Sequence, residues 1–114
     1  MISSDVMRGF NDLLILSLLM KEDSYGYEIS STIKEISDGA YAMKETTLYS
    51  AFARLEKKSL ISSYSSKQTF GKARTYYKIT PLGKAIYGEK VTEWETIKEV
   101  INQFVDNQDK LEGL

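Results

Sequence analysis

Midway along the chain the period of the apolar residues changes from that of a helix to that of a strand, and that change limits the folds open to it. In Thr47–Lys58, TLYSAFARLEKK, residues Leu48, Ala51, Phe52 and Leu55 recur at helical spacing. In Ala73–Thr80, ARTYYKIT, Thr75, Tyr77 and Ile79 alternate with Arg74, Tyr76 and Lys78, the period of a strand. LISSYSS (Leu60–Ser66) is also strand-favouring, and the polar KQTFGK (Lys67–Lys72) joins the two runs. A hairpin therefore follows a helix, with Lys67, Lys72 and Arg74 around its tip.

Two helical patterns lie upstream. Arg8–Lys21 carries Phe10, Leu13, Leu14, Ser17 and Leu18, while Leu16 and Met20 widen the apolar arc, as in a helix buried on more than one side. Ser24 is the expected N-cap of the next helix, whose stripe is Tyr27, Ile29, Ile33 and Ile36 and which ends at Asp38-Gly39. AYAM (Ala40–Met43) reads as a connector in extended form. The third helix starts near Lys44-Glu45 and closes around Ser59. Past the hairpin, Thr80 caps a long helix with Pro81 at its first position, running to about Val105, and the polar tail DNQDKLEGL frays. Helix, helix, helix, hairpin, long helix is a mostly α (α+β) plan. It describes a winged helix-turn-helix over residues 1–80 and a C-terminal dimerisation helix over 81–114.

In that plan the third helix faces a DNA groove. Thr46, Ser50, Ala53, Arg54 and Lys57 share the face opposite the apolar stripe, and Tyr49 stands at its edge. Hydroxyls and tyrosine suit phosphate oxygens, and arginine suits guanine bidentately, so Thr46, Thr47, Tyr49, Ser50, Arg54 and Lys57 are candidate DNA contacts. Lys67, Lys72 and Arg74 are candidates on the wing, adding salt-dependent backbone affinity. The bland alternative for both surfaces is solvent. Charge favours the first: residues 1–40, 41–80 and 81–114 carry −4, +6 and −3 around a total of −1. One of Tyr76 and Tyr77 must point inward, so this pair reads as structural.

Composition removes other classes. The chain has no cysteine and no histidine, hence no disulfide, no thiolate nucleophile and neither of the commonest zinc ligands. No glycine-rich phosphate loop or clustered carboxylates appear, so an enzyme is not expected, nor a metal or cofactor. The apolar run Leu13–Met20 is too short to span a bilayer, and no basic n-region or cleavage site precedes it, which fits a cytoplasmic protein. The remaining rival is a winged helix used for protein–protein contact without DNA.

Four motifs in order then make a resemblance. RGFNDLLILSLL (Arg8–Leu19), SYGYEI (Ser24–Ile29), KETTLYSAFARLEKKSLI (Lys44–Ile61) and ARTYYKITPLGK (Ala73–Lys84) together resemble the PadR-like transcriptional regulators, in the small branch with one C-terminal helix. The resemblance implies a homodimeric repressor that binds a near-palindromic operator and releases it on binding a small molecule. Ser59 stands where that family usually has glycine, Ser50 where proline is common, and the wing is less basic than in many relatives.

The long helix supplies a seam of its own. Trp94, Ile97, Ile101 and Phe104 are spaced three, four and three apart, with Tyr87 and Val91 extending the stripe backward. A second copy of the chain is the economical cover, and the chain's own first helix is the alternative. In the family, aromatic residues of this helix line a pore at the dimer interface that takes flat apolar compounds. The resemblance makes Trp94, with Met7 and Phe10, a candidate for that role, beside the plainer one of a dimer-core tryptophan.

Overall fold

The computed structural model describes residues 1–67 and 73–114; the wing candidates Lys72 and the side chain of Lys67 lie outside the described residues. The order is helix α1 (Ser4–Met7), helix α2 (Asn11–Lys21), strand β1 (Ser24–Tyr25), helix α3 (Gly26–Ile36), helix α4 (Glu45–Lys57), strands β2 (Ile61–Lys67) and β3 (Ala73–Ile79), helix α5 (Pro81–Val105) and a final turn α6 (Gln108–Leu111). The sheet is antiparallel in the order β1-β3-β2. This is a mostly helical winged helix-turn-helix with a long C-terminal helix, as the order of patterns predicts.

The core forms where the helical and alternating stripes meet. Leu48, Ala51, Phe52 and Leu55 of α4 are all buried, against Ile15, Leu16 and Leu19 of α2, Ile29 and Ile33 of α3, and Tyr77 and Ile79 of β3. The Phe52 ring stacks on Tyr77 with centroids 3.9 Å apart and planes 19° apart. Burying a side chain of that size contributes about 1.5–3 kcal/mol, so these contacts set the pose of α4 on the wing.

Two hydrogen-bonded junctions hold that pose. At the end of α4, Ser59 N–H donates to the Glu56 carbonyl and Leu60 N–H to the Leu55 carbonyl, both at 2.9 Å. Ser59 takes φ 61° to allow it, so this serine accepts the left-handed backbone that glycine adopts freely. At the start of α5, the Thr80 hydroxyl caps the Gly83 N–H at 2.9 Å and meets the Ser59 carbonyl at 2.7 Å. Gly83 packs directly on that turn: a Cβ there would stand 2.0 Å from the Leu60 carbonyl oxygen.

Several expectations need correction. The helix expected over Arg8–Lys21 begins only at Asn11; residues 4–7 make a separate turn capped by Ser3, whose hydroxyl accepts from Val6 N–H. Within α2 the deepest residues are Ile15, Leu16 and Leu19, while Leu13, Leu14 and Leu18 are half-buried and Ser17 and Met20 exposed; α2 packs against α5, β3, α4 and α3. Ser24 is not the cap of α3. Its backbone pairs with Tyr77 in β1, Tyr25 takes the cap position, and the Ser24 hydroxyl bonds Glu28. On α3 only Ile29 and Ile33 enter the core, and Tyr27 and Ile36 are 76% and 73% exposed. Tyr27 lies two residues from Ile29, roughly 200° around the helix. AYAM forms no strand; Tyr41 and Met43 are buried from an irregular connector, and the Tyr41 hydroxyl donates to Asn11 Oδ1 at 2.7 Å. The polar tail winds into the turn α6.

Candidate nucleic-acid interface

With its apolar stripe in the core, α4 turns Thr46, Ser50, Ala53, Arg54 and Lys57 outward; Thr47 is half-buried. Thr46, Thr47, Ser50 and Arg54 come together with Arg8 and Asn11 around one shallow depression. Lys57 stands apart at the far end of the helix. Two charges at the depression are engaged. Arg8 pairs with Asp5 at 2.6 Å. The Arg54 guanidinium grips Asp12 of α2 through Nη2 to Oδ1 and through Nε to Oδ2, the latter at 3.4 Å. Arg54 is therefore not the freely exposed side chain that helical spacing suggests.

Tyr49 falls on the other side of α4. It meets Phe52 edge-on at 5.6 Å, and its hydroxyl lies so close over Gly26 that a Cβ at that position would be 2.6 Å away. It thereby opens a cleft of about 470 Å³ between α3, α4 and β3, lined by Tyr25, Gly26, Tyr27, Tyr49, Arg74, Thr75 and Tyr77, with no carboxylate in the lining. Arg74, the described wing candidate, lies 4.4 Å above the Tyr25 ring and overlooks this cleft. The sequence stripe counts Tyr27 toward the core, but its offset of two residues from Ile29 puts it on this cleft instead.

The outer face of the sheet is a row of tyrosines. Tyr25, Tyr76 and Tyr64 stand directly opposite one another across β1, β3 and β2, with ring centroids 5.4 and 5.7 Å apart. The Tyr64 hydroxyl donates to Asp23 at 2.7 Å, and that carboxylate raises the phenol above its ordinary pKa. Tyr77, on the opposite face, is raised chiefly by burial, with Glu56 adding to it. The pair is structural, with one ring inward and one in the outer row.

On α5, Trp94 is 38% exposed and meets Phe10 edge-on at 5.6 Å. The two rings flank a small crevice shared with Leu13, Lys90 and Ile97. Met7 packs against the core instead of lining it. Tyr87 is half-buried against the same core and Val91 is half-buried, but Ile101 and Phe104 are 54% and 58% exposed. No helix among the described residues is long and apolar enough to cross a membrane.

A helix with hydroxyls and basic side chains on its outward face, flanked by an arginine-bearing hairpin, is the plan of a winged-helix DNA-binding regulator of transcription. The chain belongs to the transcriptional regulator PadR-like family, whose model matches residues 15–89; its members are regulators and not enzymes. A transcriptional regulator structure from Clostridium thermocellum is 58% identical, covers 92% of this chain and 99% of its own, and superposes with a TM-score of 0.85. A PadR family transcription regulator from Clostridium difficile is 45% identical over 82% of this chain and 96% of its own, with a TM-score of 0.71. An uncharacterised protein of Lysinibacillus sphaericus is 45% identical across 93% of this chain and 97% of its own length.

Proposed function

We propose that this DNA-binding regulator is a homodimeric repressor that reads a near-palindromic operator with α4 and releases it when a flat hydrophobic molecule binds beside Trp94. The observation that carries the reading is the bare end of α5. Val100, Ile101, Phe104 and Val105 are 46–63% exposed on one stretch of helix. That is an apolar surface which a second copy covers by symmetry, with residues 81–114 as the dimerisation segment and 1–80 as the DNA-binding one.

In this reading Thr46, Thr47, Ser50 and Arg54 address base edges and nearby phosphates from the depression on α4. Lys57 holds a phosphate further along. Tyr49 and Arg74, from the carboxylate-free cleft, hold the backbone on the wing side, and Lys67 and Lys72 of the hairpin sequence add their charge to that contact. A two-fold dimer repeats the same reading in two half-sites. Trp94 and Phe10 supply the aromatic walls of the effector site.

One experiment tests the whole: duplexes are selected from a random pool by the full-length protein and sequenced, and the mass of the complex is measured by sedimentation. An enriched inverted repeat bound by two chains is the expected result. Enrichment of no sequence, or a single chain per site, refutes the corresponding part.

A further inference from the structure

The ion pair between Arg54 and Asp12 joins two helices whose partners lie 42 residues apart in sequence. Asp12 is the better shielded of the two, its side chain 16% exposed against 44% for Arg54. It sits in the first turn of α2, where a carboxylate is favoured by the helix dipole. Both contacts use the Nε and Nη2 side of the guanidinium. Nη1 takes no part in either contact, and Arg54 is one of the residues lining the depression formed with Asn11, Thr46, Thr47 and Ser50.

This arrangement has two chemical effects. A long flexible side chain is held in one orientation, so less freedom is lost when its free donors meet an acceptor. The positive charge is also partly neutralised by a neighbour, so it attracts phosphates less when no base partner is in register. We infer that Asp12 is a selectivity-determining positioning residue: it withholds Arg54 from sequence-indifferent phosphate binding and presents its guanidinium to a base edge. The inference rests on α4 being the groove helix.

The test uses the full chain, a duplex selected from a random pool by the wild type, and a random duplex, at two salt concentrations. Asp12→Asn keeps the shape and removes the charge. On random duplex it is expected to bind more tightly, about eightfold near 0.1 M salt, with a salt slope steeper by about one. The ratio of selected to random affinity should fall about tenfold or more, since a good bidentate contact discriminates by about 5- to 150-fold. Asp12→Glu should restore the ratio. Arg54→Lys, which keeps the charge and loses the fork, should lower the ratio as Asp12→Asn does. In Arg54→Ala, adding Asp12→Asn should change neither the ratio nor the slope. Thermal unfolding of each variant separates folding from selectivity. If Asp12→Asn weakens both duplexes equally, or leaves random affinity and slope unchanged, Asp12 is a brace of the fold and the inference fails. A wild type that enriches no duplex refutes the groove reading and this inference with it; enrichment together with an unchanged ratio in Asp12→Asn refutes the inference alone.

Discussion

Ser59→Gly is expected to stabilise the protein. Ser59 is the left-handed residue of the turn between α4 and β2, with φ 61°, and its N–H and that of Leu60 close the helix end. A residue with a Cβ carries about 1–2 kcal/mol of strain in that region. Glycine removes the strain but brings about 0.5–1 kcal/mol more chain entropy in the unfolded state. The balance is a gain of about 0.5–1 kcal/mol. Unfolding entropy near 2.1 cal/mol/K per residue gives about 240 cal/mol/K for a chain of this length, so the melting temperature should rise by about 2–4 °C. Thermal unfolding must be followed at one fixed chain concentration, because the proposed dimerisation would shift the midpoint by mass action. Ser59→Ala is the control: the serine hydroxyl makes no hydrogen bond within the described residues, so alanine should leave the midpoint within about 1 °C. An unchanged or lowered midpoint in Ser59→Gly, or a large loss in Ser59→Ala, would show that the hydroxyl and not the backbone decides this turn.

Other substitutions probe other links. Gly83→Ala drives a methyl group onto the Leu60 carbonyl, with no flexible side chain to yield, and should cost about 3 kcal/mol in denaturant unfolding. Ile101→Asp places a charge on the exposed seam of α5 and should convert a dimer at micromolar concentration into a monomer of unchanged helical content, as read by sedimentation and circular dichroism. Burial raises the Tyr77 phenol above its ordinary value near 10, so the folded state favours the protonated form; the stability it lends is complete below pH 10 and is lost as pH rises through the raised folded value. Tyr77→Phe should flatten the loss of stability in alkaline unfolding, and an unaltered alkaline limb would count against it. Planar hydrophobic dyes should quench Trp94 fluorescence and weaken operator binding in parallel, whereas quenching with operator affinity unchanged would leave a sticky crevice and no switch.

What could be read from the sequence follows from how local the cause is. The α4 stripe and the alternation in β3 are each set within about ten residues, and both occupy the faces that their periods imply. The cap at Thr80 is equally local, whereas the need for glycine at Gly83 comes from the Leu60 carbonyl, far back in the chain. β1 was out of reach: two residues have no detectable period, and Ser24 joins the sheet only because Tyr77, far along the chain, offers its backbone. Tyr27 was misplaced for a different reason, since a helix of eleven residues tolerates an aromatic side chain off its stripe when the groove beside it is open. At the candidate interface, the outward face of α4 was legible as a list of residues. That Arg54 is held by Asp12, that Tyr49 turns toward Gly26, and that the face divides into a depression and a cleft all depend on how α2, α3 and α4 cross, which no single segment encodes.

The position of α2 bears on how a ligand at Trp94 would reach the DNA. A ligand shifts DNA binding only as far as its affinity differs between the two arrangements of the protein, so some element must sense both sites. Phe10, the N-cap of α2, meets Trp94, and two residues on Asp12, in the first turn, meets Arg54. Further along it buries Ile15, Leu16 and Leu19 in the core. A close-packed core resists gradual deformation, so the deeper turns of α2 are a poor place for movement, while its first turn, where Asp12 and Leu13 are only half-buried beside the buried Asn11 and the core-packed Leu14, follows a non-helical stretch at Arg8–Phe10. In the proposed reading, a flat molecule that displaced the Phe10 ring from Trp94 would act beside the turn that carries Asp12. Release would come from the loss of an oriented Arg54, and not from a wholesale change in the pose of α4. Such a mechanism makes effector binding erode selectivity before it erodes affinity for random duplex, the same signature that Asp12→Asn should produce without any ligand.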